Sequence, residues 1–466
     1  MSEQYPGGWL TKAPPTPSGP YYNSTAPGIW TLTQQAQYQL QGIWPTQGNN
    51  PPIYWIMTIA PPVVGSYTTI SLTASRGGVD SSGNFYPSFG MSPQAGPYSA
   101  MWNISKIDIN GNFIFTKSYE FGGGGSGSLS NAIANASNDL VVSGVTNTTP
   151  YYAFYGKYNS SGSAIWNSQL TTSDTTLYNF AGADSSGNLY FAGQDDLMSV
   201  GTWIQTNSSG VLQVGRKISS PRPYAYMSWG QVNSSGDYLG GGSTIYEGYL
   251  IKINSSSSIV WSTTLGTGYG GFLSSVTIDP TFSFLYVVAN SPSNYVFSLW
   301  KVDASNGTSV SWSKYSSDLP YYSVYMACDS SGNLYVLSQP NSAPSTVNIL
   351  KFDSSGTLQW QRNLVYTGAN IQPVRITIDS TNSVFFVTIN QASTPNRAVI
   401  MRLPTDGSQT GTYGSWAYSA SSYTISSGAT GSWTSAAFTS TGSLTSATST
   451  PTIANTTFTA TTAKIA

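Results

Sequence analysis

Short apolar and aromatic runs alternate along this chain with clusters of Ser, Gly, Asn and Asp. Typical runs are Gly-Asn-Leu-Tyr-Phe-Ala-Gly after Asp184, Gly-Asn-Leu-Tyr-Val-Leu after Asp329, and Ile-Val-Trp after Lys252. They are rich in β-branched and aromatic residues and bounded by turn chemistry, so they read as strands. The turns fall into two series. The first, Asp-Ser-Ser-Gly-Asn or a variant, starts at Asp80, Asn135, Asp184, Asn233, Asp279, Asp329 and Asp379, in steps of 55, 49, 49, 46, 50 and 50 residues. The second, Lys-x-Asp/Asn-Ser-Ser-Gly or a variant, starts at Lys106, Lys157, Gln205, Lys252, Lys301, Lys351 and Arg402, lying 19 to 26 residues after the first. Asp or Asn bonds the backbone two residues on, and Gly supplies the positive φ of a tight reversal.

Two hairpins per repeat give four strands in about 50 residues, the signature of a propeller blade. A parallel β-helix has shorter repeats and lacks the paired hairpins. The prediction is an all-β chain: a seven-bladed β-propeller over residues 53–418, a short N-terminal arm with a helix over 1–52, and a Ser/Thr-rich β segment over 419–466. In the arm, Thr31 or Thr33 can cap a helix that Gly42 ends and Pro45 stops, with Leu32, Ala36 and Leu40 on one face. Trp55, in the strand-like run 54–60, matches Trp166, Trp261 and Trp360 in placement, which offers this run as a closing strand for the last blade. A second candidate for that edge lies near Tyr413 to Tyr418. In the last segment Trp433, Phe438 and Phe458 want burial, so extended strands packed on the propeller or on a neighbour are expected there.

Composition narrows the function. Only 8% of residues are charged, the net charge is -1, and Lys and Arg are scattered singly, which disfavours a nucleic-acid partner. The absence of histidine removes imidazole-based triads and zinc sites. The single cysteine, Cys328, leaves no intrachain disulfide and reads as a structural thiol. No cofactor is implied, and no metal site: Asp-x-Ser-Gly-Asn holds oxygen ligands, but seven copies argue for turn-making. The N-terminal residues have no basic region and no apolar stretch of a secretory signal, and no run suggests a membrane span. A surface that looks extracellular on a chain made without an export signal fits a virus particle assembled in the host cytoplasm and released by lysis.

The blade text Asp-Ser-Ser-Gly-Asn-Leu-Tyr-Val, followed by Lys-Phe-Asp-Ser-Ser-Gly-Thr-Leu-Gln-Trp, resembles bacterial SBBP and NHL-like propeller repeats over roughly residues 54–415. That resemblance implies a fold and no function. The segment Ala26-Pro-Gly-Ile-Trp-Thr-Leu, ending Gly42-Ile-Trp-Pro, looks like one found in structural proteins of tailed phages, notably marine and cyanobacterial ones. It covers about 20 residues and implies a virion component: a fibre, tail appendage or capsid decoration, present in multiple copies with other virion proteins as partners. Trp30, Leu32, Ile43 and Trp44 are then the candidate anchor.

Both turn series fall on one face of a propeller, and the remaining loops on the other. Most acids sit in the turns. Glu120, Asp174, Asp195, Asp196, Glu247 and Asp318 do not, and they share the loop face with Tyr151, Tyr152, Tyr224, Tyr226, Trp229, Tyr321 and Tyr322. Aromatics with scattered carboxylates suit stacking and hydrogen bonding to a host-surface glycan, and they equally suit packing of the rim. The candidate ligand-binding set is Tyr151, Tyr152, Asp195, Asp196, Tyr224, Trp229, Glu247, Tyr321 and Tyr322. A polysaccharide depolymerase is the alternative, since Asp195, Asp196 and Glu247 come from neighbouring blades, but no spacing is diagnostic of the carboxylate pair a glycosidase needs. The expectation is a non-enzymatic protein with no catalytic residues.

Overall fold

The computed structural model describes residues 54–464 except 61–66, 73–75, 94–100, 121–127, 135–137, 146–151, 174–175, 196–199, 221–225, 245–246, 266–272, 290–295, 341–342, 393–396, 429–431, 442–445, 449–451 and 456–458. The expected arm, its helix and the anchor residues Trp30, Leu32, Ile43 and Trp44 lie outside the described residues. All described elements are strands, and they form seven blades. Blade 4 is representative: Tyr226–Val232, Tyr238–Ser243, Gly248–Ile253 and Ile259–Leu265 pair antiparallel in sequence order, A to D from the axis outward. Blade 1 departs from this, its A and B strands being broken into Tyr67–Leu72 with Arg76–Val79 and Phe85–Tyr86 with Ser88–Pro93.

The first turns close as their residue types require. At blade 1, Asp80 Oδ1 accepts from the Ser82 and Asn84 amides at 3.0 and 2.9 Å. Its Oδ2 accepts from Tyr86 Oη at 3.0 Å and pairs with Lys106 Nζ at 3.1 Å. Lys106 opens the second turn of the same blade, so one buried ion pair ties the two turns together on one face.

Neighbouring blades are joined at the second turn. On strand D, the residue opposite the turn-opening Lys is Trp166, Trp261, Trp312 or Trp360 in blades 2, 4, 5 and 6. Each donates its indole N–H to a backbone carbonyl in the second turn of the next blade: Ser208, Ala304, Ser354 and Thr405, at 3.0 to 3.2 Å. The indole lies on the turn glycine. At Gly356 (φ +84°) an added Cβ would stand 2.8 Å from the Trp312 ring, so this position needs glycine both for its left-handed backbone and for the ring's approach. Blade 3 departs from the rule at both ends of the junction: Val214 replaces the Trp, and Ser257 (φ 61°) replaces the next glycine. There Trp203, from strand C, donates to Ser257 Oγ at 3.3 Å instead.

Two segments contend for the outer edge of the last blade, and Trp55–Ala60 takes it. It pairs antiparallel with Arg397–Pro404, Trp55 opposite Arg402, and the Trp55 indole reaches Ile109 O of blade 1 at 3.1 Å. That completes the ring with the contact used by the outer strands of blades 2, 4, 5 and 6. Trp416–Ala420 turns back instead and pairs with the outer strand of blade 6, Leu358–Tyr366.

From there the chain retraces the whole ring in reverse. Ser426–Ser427 pairs with blade 5, Trp433–Ser435 with blade 4, Thr439–Thr441 with blade 3, Ser446–Thr448 with blade 2, Thr452–Asn455 with blade 1, and Thr459–Lys464 with Trp55–Ala60 of blade 7. Every blade thus has a fifth strand rather than the expected four. The belt strands start 6 or 7 residues apart, about 20 Å of extended chain. Trp433 and Phe438 are buried, against Trp300 and Tyr249 respectively. The Ala436 amide donates to Ser262 O at 2.8 Å. The belt pairs the outer edges that a four-stranded propeller leaves open.

Two measurements test this account. Ending the chain after residue 428 removes the belt from blades 4, 3, 2, 1 and 7 while leaving the closing strand. Burial of Trp433 and Phe438 stabilises by about 2–3 kcal/mol each, so the truncated protein should stay β-rich by circular dichroism, melt roughly 5 °C lower, and self-associate on size exclusion. An unchanged melt and a monomer would refute the belt. Separately, Gly356→Ala should cost about 2–4 kcal/mol by denaturant titration, from backbone strain and the clash with Trp312. Gly414→Ala, also at positive φ but with nothing within 4 Å, should cost about 1 kcal/mol.

Candidate functional site

The loop-face candidates are spread over blades 2, 3, 4 and 6. Tyr152 begins strand C of blade 2 and is half-buried. Asp195 ends strand B of blade 3, its backbone opposite Val200. Tyr321 pairs with Pro340 at the loop-face end of the first strand of blade 6, and Tyr322 follows it. Trp229 is half-buried and packs against the cluster containing Leu250, Leu273 and Val276. Its carbonyl accepts from Tyr238 Oη at 2.8 Å. Glu247 closes a tight turn: the Thr244 amide donates to its carbonyl at 2.8 Å, and its own amide donates to Thr244 Oγ1 at 3.1 Å. Tyr151, Asp196 and Tyr224 lie outside the described residues. Among the described residues no group of three or more His, Cys, Asp or Glu is placed to hold a metal, and no helix is long and apolar enough to cross a membrane.

The concave feature that residue-by-residue reading missed is on the axis. The innermost strands surround a cavity of about 320 Å³ whose lining includes Gln231, Thr277, Met326, Cys328, Arg375 and Thr377. These strands alternate. Val324, Met326, Val374 and Ile376 are buried in the core clusters, while Tyr325, Ala327, Arg375 and Thr377 between them are only half-buried. Burial pushes the Cys328 thiol up, out of the range in which it would act as a nucleophile.

Strand pairing puts one residue of each blade at a common level of the channel. Asn131 is opposite Ser143, Asn179 opposite Ala192, Trp229 opposite Gly241, Ser275 opposite Val288, Tyr325 opposite Leu337 and Arg375 opposite Thr388. Arg76 of blade 1 is in parallel register with Asn131. In six blades this is the residue four before the first turn. In blade 3 it is five before, because a bulge between Phe180 and Gly182 inserts one residue. The offset is a signal the sequence already carried, visible once the turns are aligned: two arginines, two asparagines, a serine, a tryptophan and a tyrosine, with no acid.

No family profile and no curated protein matches the sequence. Among solved structures the chain is similar to the β-propeller domain of Myceliophteria thermophila Cps50 (Swd1), at 10% identity and a TM-score of 0.44 over 74% of this chain and 99% of that one. It is also similar to Kuenenia stuttgartiensis hydrazine synthase, at 12% identity and a TM-score of 0.44 over 72% and 98%. Chaetomium thermophilum Sqt1 follows at 10% identity and a TM-score of 0.38 over 78% and 99%. Likeness at these identities concerns the fold and carries no ligand, activity or partner to this chain.

The opposite face is electrostatically committed to structure. Burial alone would raise the Asp80 carboxyl, but bonds from Asn84, Lys106 and Tyr86 outweigh it and hold it below the ordinary 3.8. Asp184 is lowered in the same way by Asn188 and Tyr190, against its burial. Asp303 and Asp353 are lowered chiefly by the hydroxyls of Ser305 and Ser355. A carboxyl whose pKa is depressed by folding contributes stability above its unfolded pKa and loses it as pH falls through the folded value. With no histidine in the chain, the melting temperature should be flat from about pH 5 to 8 and fall below about pH 4. Asp80→Asn should lower the melt at pH 7 and shrink the acid drop. A transition between pH 5 and 8 would contradict this assignment of charges.

Proposed function

We propose that this protein is a non-enzymatic structural component of a tailed-phage particle, a fibre, tail appendage or capsid decoration, that displays its propeller with the loop face turned toward host-surface glycans. The observation that carries this reading is the placement of the chain ends. Strand D of each blade runs from the second turn toward the loop face, and Trp55 starts such a strand beside the blade 1 turn. Lys464 lies opposite Trp55 in the last belt strand. The chain therefore enters at Tyr54 and leaves after Lys464 on the turn face of blade 7. Residues 1–53, in which Trp30, Leu32, Ile43 and Trp44 supply an apolar set, are the proposed tether, joined to the propeller on its turn face at Tyr54. Outer edges shortened to belt strands of 2 to 6 residues and a net charge of only -1 suit many copies packed on a particle outside the cell.

Mass spectrometry of gradient-purified particles should find the protein in multiple copies with other virion proteins. A version lacking residues 1–50 should melt like the intact protein and stay in the supernatant when added to particles that lack it. A protein found only outside the particles would overturn the virion reading. Host polysaccharide should keep its chain length on prolonged incubation with the protein, and shortening would replace display by the depolymerase alternative.

A further inference from the structure

We propose that blade 6 holds a buried water site beneath the start of the belt, built by Ser338, Asn348 and Asn363 and covered by Tyr423. The proposal concerns the packing of the molecule itself and is independent of where the protein resides. Ser338 pairs with Asn348, and Asn348 with Asn363, so the three stand in one row across strands B, C and D of the blade. Residues directly opposite each other on antiparallel strands share a face, with Cβ atoms about 5 Å apart. That face looks toward blade 5. The next row toward the turns contains Val336 and Leu350, which pack in one cluster with Tyr286, Val288 and Phe297 of blade 5.

Within this apolar interface Ser338 and Asn348 are completely buried. Three polar atoms of the row, Ser338 Oγ, Asn348 Nδ2 and Asn363 Oδ1, are shielded from solvent and make no hydrogen bond within the protein. The other ends of the two amides are used. Tyr423 Oη donates to Asn348 Oδ1 at 2.9 Å. Burial raises the Tyr423 phenol, and side-chain hydrogen bonds with Asn363 and Asn348 oppose that rise, so both amides reach the one oxygen. Turning the Asn348 amide over exchanges its two ends and leaves an oxygen unpaired where the nitrogen was. Gln361 fixes Tyr423 from strand D: its Oε1 accepts from the Tyr423 amide at 2.9 Å, and its Nε2 donates to the Tyr423 carbonyl at 3.2 Å. The phenol is thereby held on the row as the belt passes from blade 6 to blade 5.

Polar atoms shut away from solvent find partners in native proteins, and where the protein supplies none the partner is an ordered water making about three bonds. The row offers that set. Asn348 Nδ2 donates, Asn363 Oδ1 accepts, and Ser338 Oγ does either. One water accepts from the first and donates to the other two, which satisfies its own capacity and that of the row. An ion fits less well, because the row is uncharged and mixes a donor with acceptors.

The test is a crystal structure of the full chain at a resolution that shows ordered water, with oxygen-17 relaxation dispersion to count long-lived waters in solution. Density for one water should lie about 3 Å from all three atoms. Asn348→Leu, which removes the central amide, should lose that density and lower the count by one with circular dichroism unchanged. Tyr423→Ala, which uncovers the row, should also lower the count, because the water then exchanges with bulk too fast to be counted. An empty site in the wild-type crystal, amides turned to bond each other, or a count that either substitution leaves unchanged would overturn the proposal. If Asn348→Leu fails to fold, the wild-type density and Tyr423→Ala decide it.

Discussion

The ring is held by one repeated contact, an indole from the outer strand of one blade laid on the second turn of the next and donating to its backbone carbonyl. It satisfies the indole N–H, covers a turn glycine and ties one blade to the next in a single interaction. Its dependence on both partners shows at the junction of blades 3 and 4. There the outer strand offers Val214, the next turn carries Ser257 in place of glycine, and Trp203 reaches across from a different strand to the serine hydroxyl. The junction of blades 1 and 2 keeps the glycine, with Phe115 of blade 1 lying on Gly162 of blade 2. An aromatic surface is thus retained at junctions where the indole bond is not.

Ring closure follows from the same contact. Both Trp55–Ala60 and the strand ending near Tyr418 are long enough and apolar enough to be the outer strand of the last blade. Trp55, opposite Arg402, puts its indole on blade 1, whereas Trp416 packs on Tyr366 and the core cluster beneath blades 6 and 7. With the N-terminal strand holding the last blade, the C-terminal segment covers the outer edges of the blades around the full circle. The closing strand lies between Arg397–Pro404 and Thr459–Lys464, so it is held on both of its edges.

The two faces divide structure from candidate function. Acids and most cations of the repeat are tied up in turns, where their bonds hold the hairpins and the blade junctions. The axis keeps its own chemistry, because residues facing the channel on the innermost strands escape the demand for apolar packing that their neighbours Val374 and Ile376 meet. Function in a propeller of this kind is placed by exemption from packing: the channel and the loop face are where side chains are free to differ between blades.

The turns, the count of seven repeats and the strand character of their flanks were set by the sequence itself, because Asp, Asn and Gly act within four or five residues of chain. Closure by the run at Trp55 was half legible, since its tryptophan matched the other outer strands while a rival segment matched almost as well. Extended strands around Trp433 and Phe438 were legible as a need for burial, but not their destination. Tertiary structure decided the rest. The belt pairs Thr459–Lys464 with Trp55–Ala60 about 400 residues away, and no local preference of a Ser/Thr-rich chain encodes which edge it meets. The level shared by Arg76 and Arg375 was likewise present as an offset from the turns, yet the two strands that carry it adjoin only when the ring closes. Closure sets blade 7 against blade 1 and places residues 299 positions apart on adjacent strands.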